Sequence, residues 1–122
     1  MTGEIIVRIY ERSGTHLFCG HWNGSPVEIG LAAAPLREVP ERELLHYHDY
    51  HEYYVVLEGR AELEVEGKLT PLRPGIVVMV EPGEKHRVVS VDPEVGVRWV
   101  IIKERSAPNS KHVVPDDGSD EE

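Results

Sequence analysis

Apolar and polar residues alternate along much of this chain with the period of two that is typical of β-strands. The clearest case is the segment 60–66, in which Ala61, Leu63 and Val65 alternate with charged residues. Successive side chains of a strand point to opposite faces, so this segment predicts a half-exposed strand. The run from Ile76 to Val80 is apolar throughout and predicts a strand that is buried on both faces.

Further strands are predicted by short runs that are rich in β-branched and apolar residues. These runs are Ile5–Tyr10, Val27–Ala34, Leu44–His48, His86–Val91 and Val97–Ile102. The 11 glycines and 9 prolines separate them at short intervals, and no segment shows a convincing helical repeat. Many short strands joined by tight turns are typical of a sandwich or barrel, so the sequence predicts an all-β fold.

The patterned part of the chain ends near Arg105. We expect residues 1–105 to form a single domain, because a chain of 122 residues is long enough to bury one core. Residues 106–122 are polar, are interrupted by proline and end in acids, which predicts a flexible acidic tail.

Composition narrows the range of partners. The net charge of -9 argues against nucleic acid or an anionic membrane, because both select basic surfaces. The first residues lack the basic start and long apolar stretch of a signal peptide, so we expect a cytoplasmic protein. The single cysteine, Cys19, excludes an internal disulfide and a zinc site made of cysteines, and we expect a small buried side chain there.

The segment HYHDYHEYYVVLEG, which begins at His46, holds most of the candidate chemistry. His46 and His48 are two apart, which places both imidazoles on one face of a strand. Glu52 would open the next strand beside them, and two histidines with one carboxylate are typical of non-haem iron and similar metals. His86 would complete a set of three histidines and one carboxylate, with positions left open for water, oxygen or substrate.

Each of these residues also has a simpler interpretation. A lone histidine in a strand is more often a surface or core residue, and several close together can form a polar loop. His51 could compete as a ligand, but we expect it to point away as a turn residue or as a partner of a ligand. Asp49 is expected to be solvated or to form the turn. The histidines without suggestive spacing, taken as non-ligands, are His16, His21 and His112.

Two segments together resemble the two motifs of the cupin superfamily. The first has two histidines separated by one residue, then three residues and a glutamate, then six residues and Gly59. The second runs from Gly75 through an apolar strand to Pro82-Gly83 and then to His86. This chain departs from the usual pattern at Ile76, where an acid is common, at Glu81, where a proline is common, and at Ser90, where an asparagine is common.

The resemblance implies a double-stranded β-helix, which is a jelly-roll barrel. It implies metal ligands at His46, His48, Glu52 and His86, and a cofactor that is one divalent transition metal ion. The ion could be iron, manganese, nickel, zinc or copper, because ligands of this type do not select among them. The resemblance also implies a homodimer, and the N-terminal residues around Ile5, Val7 and Ile9 could supply its contact.

The function that this resemblance implies is a small metal-dependent enzyme acting on a small organic or sugar-derived substrate. The reaction would be that of an oxygenase, or that of an isomerase, lyase or decarboxylase. Tyr54 should share the face of Glu52, where its hydroxyl could contact substrate or donate a proton, although its ring could equally just fill the barrel. The alternative is a non-catalytic module that binds or senses a small, sugar-like ligand, since cupins also serve in such roles.

Overall fold

The structure is a computed structural model of the chain, and it describes residues 7–12, 17–34, 44–108 and 110–115. A single turn of 3-10 helix, His21–Asn23, joins the first two strands. The strands, in chain order, are β1 (Leu17–Cys19), β2 (Glu28–Ala34), β3 (His46–His48), β4 (Glu52–Gly59), β5 (Ala61–Val65), β6 (Lys68–Leu72), β7 (Val77–Val80), β8 (His86–Val91), β9 (Val97–Lys103) and β10 (Lys111–Val113).

The strands form two five-stranded sheets. The order in the first sheet is β1-β2-β9-β4-β7, and the order in the second is β10-β3-β8-β5-β6. All neighbouring strands within the sheets run antiparallel. Two facing antiparallel sheets linked by crossing connections make the jelly-roll architecture, so the predicted all-β double-stranded β-helix is confirmed.

The core lies between the inner faces of the two sheets. Tyr54 and Trp99 come from the first sheet, while Leu63, Leu72 and Val91 come from the second, and all are buried. The buried core residues of β4, β5 and β9 lie two apart along each strand, because alternate side chains of a strand point to the same face. Burial of this apolar surface is the main favourable term that holds the two sheets together.

Several strand predictions agree with the structure and others do not. β8 has its predicted bounds, and β9 extends its predicted run by one residue. The prediction that 76–80 is buried on both faces is wrong, because β7 is an edge strand and leaves Val77 58% and Met79 42% exposed. Residues 7–12 form no strand, and Ile5 lies outside the described residues.

Three strands were not predicted, namely β1, β6 and β10. β10 lies in the segment that was predicted to be the acidic tail. It pairs with β3, and His112 stands opposite Tyr47. The second sheet therefore continues past Arg105, and residues 116–122 of the predicted tail lie outside the described residues.

Two glycines fix turns that matter for the site. Gly59 has a φ of 85°, and a Cβ at this position would lie 2.0 Å from the carbonyl oxygen of Gly96. Only glycine fits such a close approach with a positive φ. Gly83, with a φ of 83°, donates its backbone N–H to the carbonyl of His48 at 2.9 Å. This hydrogen bond ties the turn before β8 to the end of β3.

Cys19 is buried, and its thiol lies 3.8 Å from the carbonyl oxygen of Val27. Within the described ranges, no helix has the length and apolar character required to cross a membrane.

Candidate metal centre

Two neighbouring strands bring three histidines together. His46 and His48 project from the same face of β3, and His46 stands directly opposite His86 on β8. The ring centroids of His46 and His86 are 4.3 Å apart. One ring nitrogen from each of the three histidines lies within 4.8 Å of the other two, so the three could hold a metal ion.

Glu52 approaches these histidines from the opposite sheet, because it is the first residue of β4. Its Oε1 lies 3.0 Å from Nε2 of His86 and 3.3 Å from Nε2 of His48. The mutually close set is made of the three histidines, and the carboxylate contacts two of them. The four side chains are almost completely shielded from solvent, with exposures of 0–4%.

Hydrogen bonds at Nδ1 fix the orientation of two of the rings. Nδ1 of His46 donates to the carbonyl of Leu44 at 2.8 Å, and Nδ1 of His86 donates to the carbonyl of Glu84 at 2.9 Å. In each case the acceptor is the backbone two residues earlier. Such a bond selects the tautomer in which Nε2 is free to accept a metal, as is usual for ligating histidines.

His48 is oriented by a side chain instead. Its Nδ1 lies 3.1 Å from the hydroxyl of Tyr50, which is itself 3.1 Å from Oγ of Ser110. Ser110 also reaches the carbonyl of Ala107 at 3.1 Å. Ser110 is the donor in its contact with Tyr50, so the Tyr50 hydroxyl connects His48 to the segment that leads into β10. Burial raises the pKa of Tyr50, so its hydroxyl keeps its proton.

The hydrogen bonds of His86 bear on the charge of this site. A carbonyl only accepts, so the bond to Glu84 uses the proton on Nδ1. Burial raises the pKa of Glu52, but hydrogen bonds from His48 and His86 outweigh burial and lower this pKa to about 2. A second proton on His86, or a metal cation held by both groups, would satisfy the 3.0 Å contact between Nε2 and the carboxylate.

His46 is suited to bind a cation. Burial lowers its pKa to about 4, so the imidazole is neutral near pH 7 and Nε2 retains its lone pair. Neutral imidazoles combined with a carboxylate are a ligand set for zinc, iron, copper and nickel. The residues present therefore fit a divalent transition metal ion.

Tyr54, the predicted catalytic residue, lies on the inner face of β4, two residues beyond Glu52. Its ring meets that of His86 edge-on, with centroids 6.4 Å apart, and packs beside Trp99 at 6.0 Å. It belongs to the buried core cluster. Tyr50, which the sequence placed only in a turn, is the tyrosine whose hydroxyl contacts a candidate ligand.

The other described histidines make different contacts. His51 lies 2.8 Å from Glu104, and His112 lies 2.9 Å from Asp49. Both pairs are partly exposed at the same end of the barrel. His21 contacts Ser106, and His16 lies outside the described residues. None of these three described side chains belongs to the metal-capable group.

A charged pair next to the centre was missed by the sequence analysis. Lys103 on β9 is the cross-strand partner of both Glu52 and Glu28. Its ammonium donates to Oε2 of Glu28 at 3.1 Å, and Ser106 donates to Oε1 of the same carboxylate at 3.2 Å. Burial lowers the pKa of Lys103, but the neighbouring Tyr50 and Glu28 outweigh burial and raise it. The sequence held a sign of this position. Lys103 lies four residues after the inward-facing Trp99, so both side chains point to the same face of β9.

Fold and site together define a double-sheet barrel with a cluster of histidines at one end. A family model for the cupin domain matches residues 37–103, which is more than half of the chain. The chain therefore belongs to the cupin family, as the sequence motifs indicated.

Individual relatives match this chain at 16–33% identity. The polyketide synthase CurC of Streptomyces cyaneus is 33% identical over 75 residues, which cover 57% of this chain and 49% of that protein. This chain thus matches about half the length of that relative. The polyketide cyclase RemF of Streptomyces resistomycificus has a TM-score of 0.64 at 16% identity, covering 96% and 89% of the two chains. The DMSP lyase DddQ of Ruegeria pomeroyi has a TM-score of 0.60 at 19% identity, covering 73% of this chain and 43% of that one.

Proposed function

We propose that this protein is a metal-dependent enzyme that acts on a small organic substrate. His46, His48, Glu52 and His86 bind one divalent transition metal ion, which would polarise a carbonyl group of the substrate. The reaction class is that of a lyase, isomerase, decarboxylase or cyclase, in which protons move but oxygen is not consumed.

One observation carries the metal: the 3.0 Å contact between Oε1 of Glu52 and Nε2 of His86. Both groups are buried, and Nδ1 of His86 is already committed to a backbone carbonyl. An isolated charge is costly to bury, so the ionised carboxylate needs a positive partner at this place. A divalent cation supplies that charge and joins all three imidazoles at once.

The groups around the centre favour proton-transfer chemistry over oxygen chemistry. Tyr50 holds a protonated hydroxyl against His48, and Lys103 holds an ammonium on the same inner face as Glu52. Tyr54 remains the candidate for direct contact with substrate, since it follows Glu52 on that face. The names of two structural relatives, a lyase and a polyketide cyclase, agree with this class.

Metal content and turnover test the proposal. The protein is purified without affinity metal, analysed for bound elements and then loaded with cobalt(II), whose absorption reports the ligand set. We expect one ion per chain, and turnover of some member of a panel of β-keto acids, dicarbonyls and sugar acids without oxygen uptake. Oxygen consumption with such a substrate would contradict the reaction class and favour an oxygenase.

The ligand assignment needs its own controls. His48→Ala and Glu52→Gln are expected to lose bound metal, whereas His51→Ala is expected to keep it. His51 lies between the two ligands in sequence, but its ring contacts Glu104. Normal metal content in both His48→Ala and Glu52→Gln would refute the site.

The burial of all four ligand side chains favours a second candidate, a module that binds a small ligand without converting it. Such a site would retain its metal tightly and exchange its water slowly. Tight binding of a sugar acid or dicarbonyl by the metal-loaded protein, with no product formed, would support this candidate.

A cytoplasmic location and a homodimer belong to the same proposal. Support for the dimer comes from Val7 and Ile9, which expose 73% and 79% of their surface. Apolar side chains of this size commonly become buried against a partner when they are grouped.

A further inference from the structure

The inner face of the first sheet carries a row of charges that runs directly into the metal centre. Glu28, Lys103 and Glu52 are consecutive cross-strand neighbours on β2, β9 and β4. Directly opposed residues have Cβ atoms about 5 Å apart, so the Lys103 side chain starts beside the carboxylate of the centre. Only 19% of the Lys103 side chain and 13% of the Glu28 side chain are exposed.

Glu28 accepts a hydrogen bond at each of its two carboxylate oxygens. Lys103 uses one N–H donor for this contact and has others available. Ser106 donates to one oxygen of Glu28, and the ammonium of Lys103 donates to the other. Ser106 is itself fixed by the backbone N–H of His21 at 2.9 Å. An ammonium has three N–H donors, and the structure shows one of them engaged, by Glu28.

The net charge of the metal centre and of the Glu28–Lys103 pair indicates the kind of ligand that this site would bind. A divalent ion with three neutral imidazoles and the ionised Glu52 has one positive charge remaining, and the Glu28–Lys103 pair is neutral. The metal with its four ligands would therefore favour a negatively charged ligand, and among the described strands Lys103 is the cation placed beside Glu52 on this inner face.

We propose that Lys103, the ion-pair partner of Glu28, binds the carboxylate or enolate oxygen of a small organic anion while another part of that ligand meets the metal. This inference rests on the proposed function, because it requires a metal at the histidine cluster. It adds the substrate class, an organic anion, and it assigns Lys103 as the residue that contacts it. Charge-assisted hydrogen bonds of this kind are shorter and stronger than neutral ones.

The test uses oxalate, the smallest bidentate organic anion, titrated into cobalt-loaded protein and followed by the cobalt absorption. The affinity of Lys103→Met for oxalate is expected to be at least about tenfold weaker than that of the wild type. Glu28→Gln removes the competing carboxylate and is expected to bind oxalate more tightly. Arg73→Met makes the same charge change in the groove at the opposite end of the barrel and is expected to have no effect.

The opposite signs of these two effects separate ligand binding from a structural role. If the pair only stabilised the fold, both single variants would melt at lower temperature and bind oxalate as the wild type does. The double variant Lys103→Met with Glu28→Gln leaves no buried unpaired charge, so it keeps the experiment valid if Lys103→Met alone does not fold. It is expected to bind oxalate weakly.

Failure of the inference differs from failure of the proposed function. A wild-type protein that takes up no cobalt would overturn the metal site itself. Uptake of cobalt with no oxalate binding, or with equal oxalate affinity in the wild type and the double variant, would overturn the role of Lys103 and leave the metal site intact.

Discussion

Oε1 of Glu52 lies 3.0 Å from Nε2 of His86, and these two residues come from different sheets. The contact therefore joins the two layers of the barrel at a buried point. A metal cation held by both groups would offset the cost of burying the ionised carboxylate. The proposed metal would therefore stabilise the fold as well as supply the chemistry.

Glu52→Gln tests this contact directly. The amide keeps the shape of the side chain but removes the negative charge, so the affinity for cobalt(II) is expected to fall by about 100-fold or more. Isothermal titration and cobalt absorption measure the change. Glu104→Gln, which alters an exposed carboxylate at the same end, is the matched control and is expected to retain wild-type affinity.

Tyr50→Phe tests the chain of hydrogen bonds behind His48. Loss of the hydroxyl leaves Nδ1 of His48 without its hydrogen-bond partner, and the affinity for metal is expected to fall roughly 10-fold. Tyr47→Phe is the control, because Tyr47 packs against His112 on the other face of β3. Equal metal affinities for the two variants would show that Tyr50 does not position the ligand.

Removal of metal is expected to lower the melting temperature. A ligand that binds only the folded state stabilises it by about 4 kcal/mol when its free concentration is roughly 1,000 times its dissociation constant. Scanning calorimetry before and after chelation measures the effect, and added metal should restore the original transition. A melting temperature that does not respond to chelation would contradict a metal that bridges the two sheets.

Gly59→Ala tests why the first motif ends in glycine. Gly59 and Gly67 have similar positive φ angles, 85° and 81°. A Cβ at Gly67 meets nothing within 4 Å, whereas one at Gly59 would collide with the backbone of Gly96. We expect Gly67→Ala to lower the free energy of unfolding by about 1 kcal/mol and Gly59→Ala to lower it considerably more. Chemical denaturation of both variants gives the comparison.

The homodimer is tested at the N-terminal segment. Simultaneous Val7→Glu and Ile9→Glu changes place charges on two of the most exposed apolar side chains, and the double variant is expected to be monomeric by light scattering. Val95→Glu, in a surface turn at 56% exposure, is the control and should remain dimeric. A wild-type protein that is already monomeric at working concentration would end the dimer proposal.

The amino-acid pattern alone predicted the fold class, one strand with its bounds and the four candidate ligands. Period-two alternation and glycine spacing were enough for an all-β barrel, and the position of β8 followed from its β-branched run between a turn and Asp92. The resemblance to the cupin motifs singled out His46, His48, Glu52 and His86, and the spacing of two placed the first two on one face of a strand. These features are local, so neighbouring residues determine them.

The pairing of distant segments could not be read from the chain. β10 lies in a polar stretch, and it becomes a strand only because the edge of β3 is available to pair with it. The contact of Tyr50 with His48 and Ser110, and the row of Glu28, Lys103 and Glu52, depend on which strands lie side by side. Sheet order and register result from the summed packing of both layers, and no single segment encodes them. Tertiary packing therefore decided which residues support the four candidate ligands.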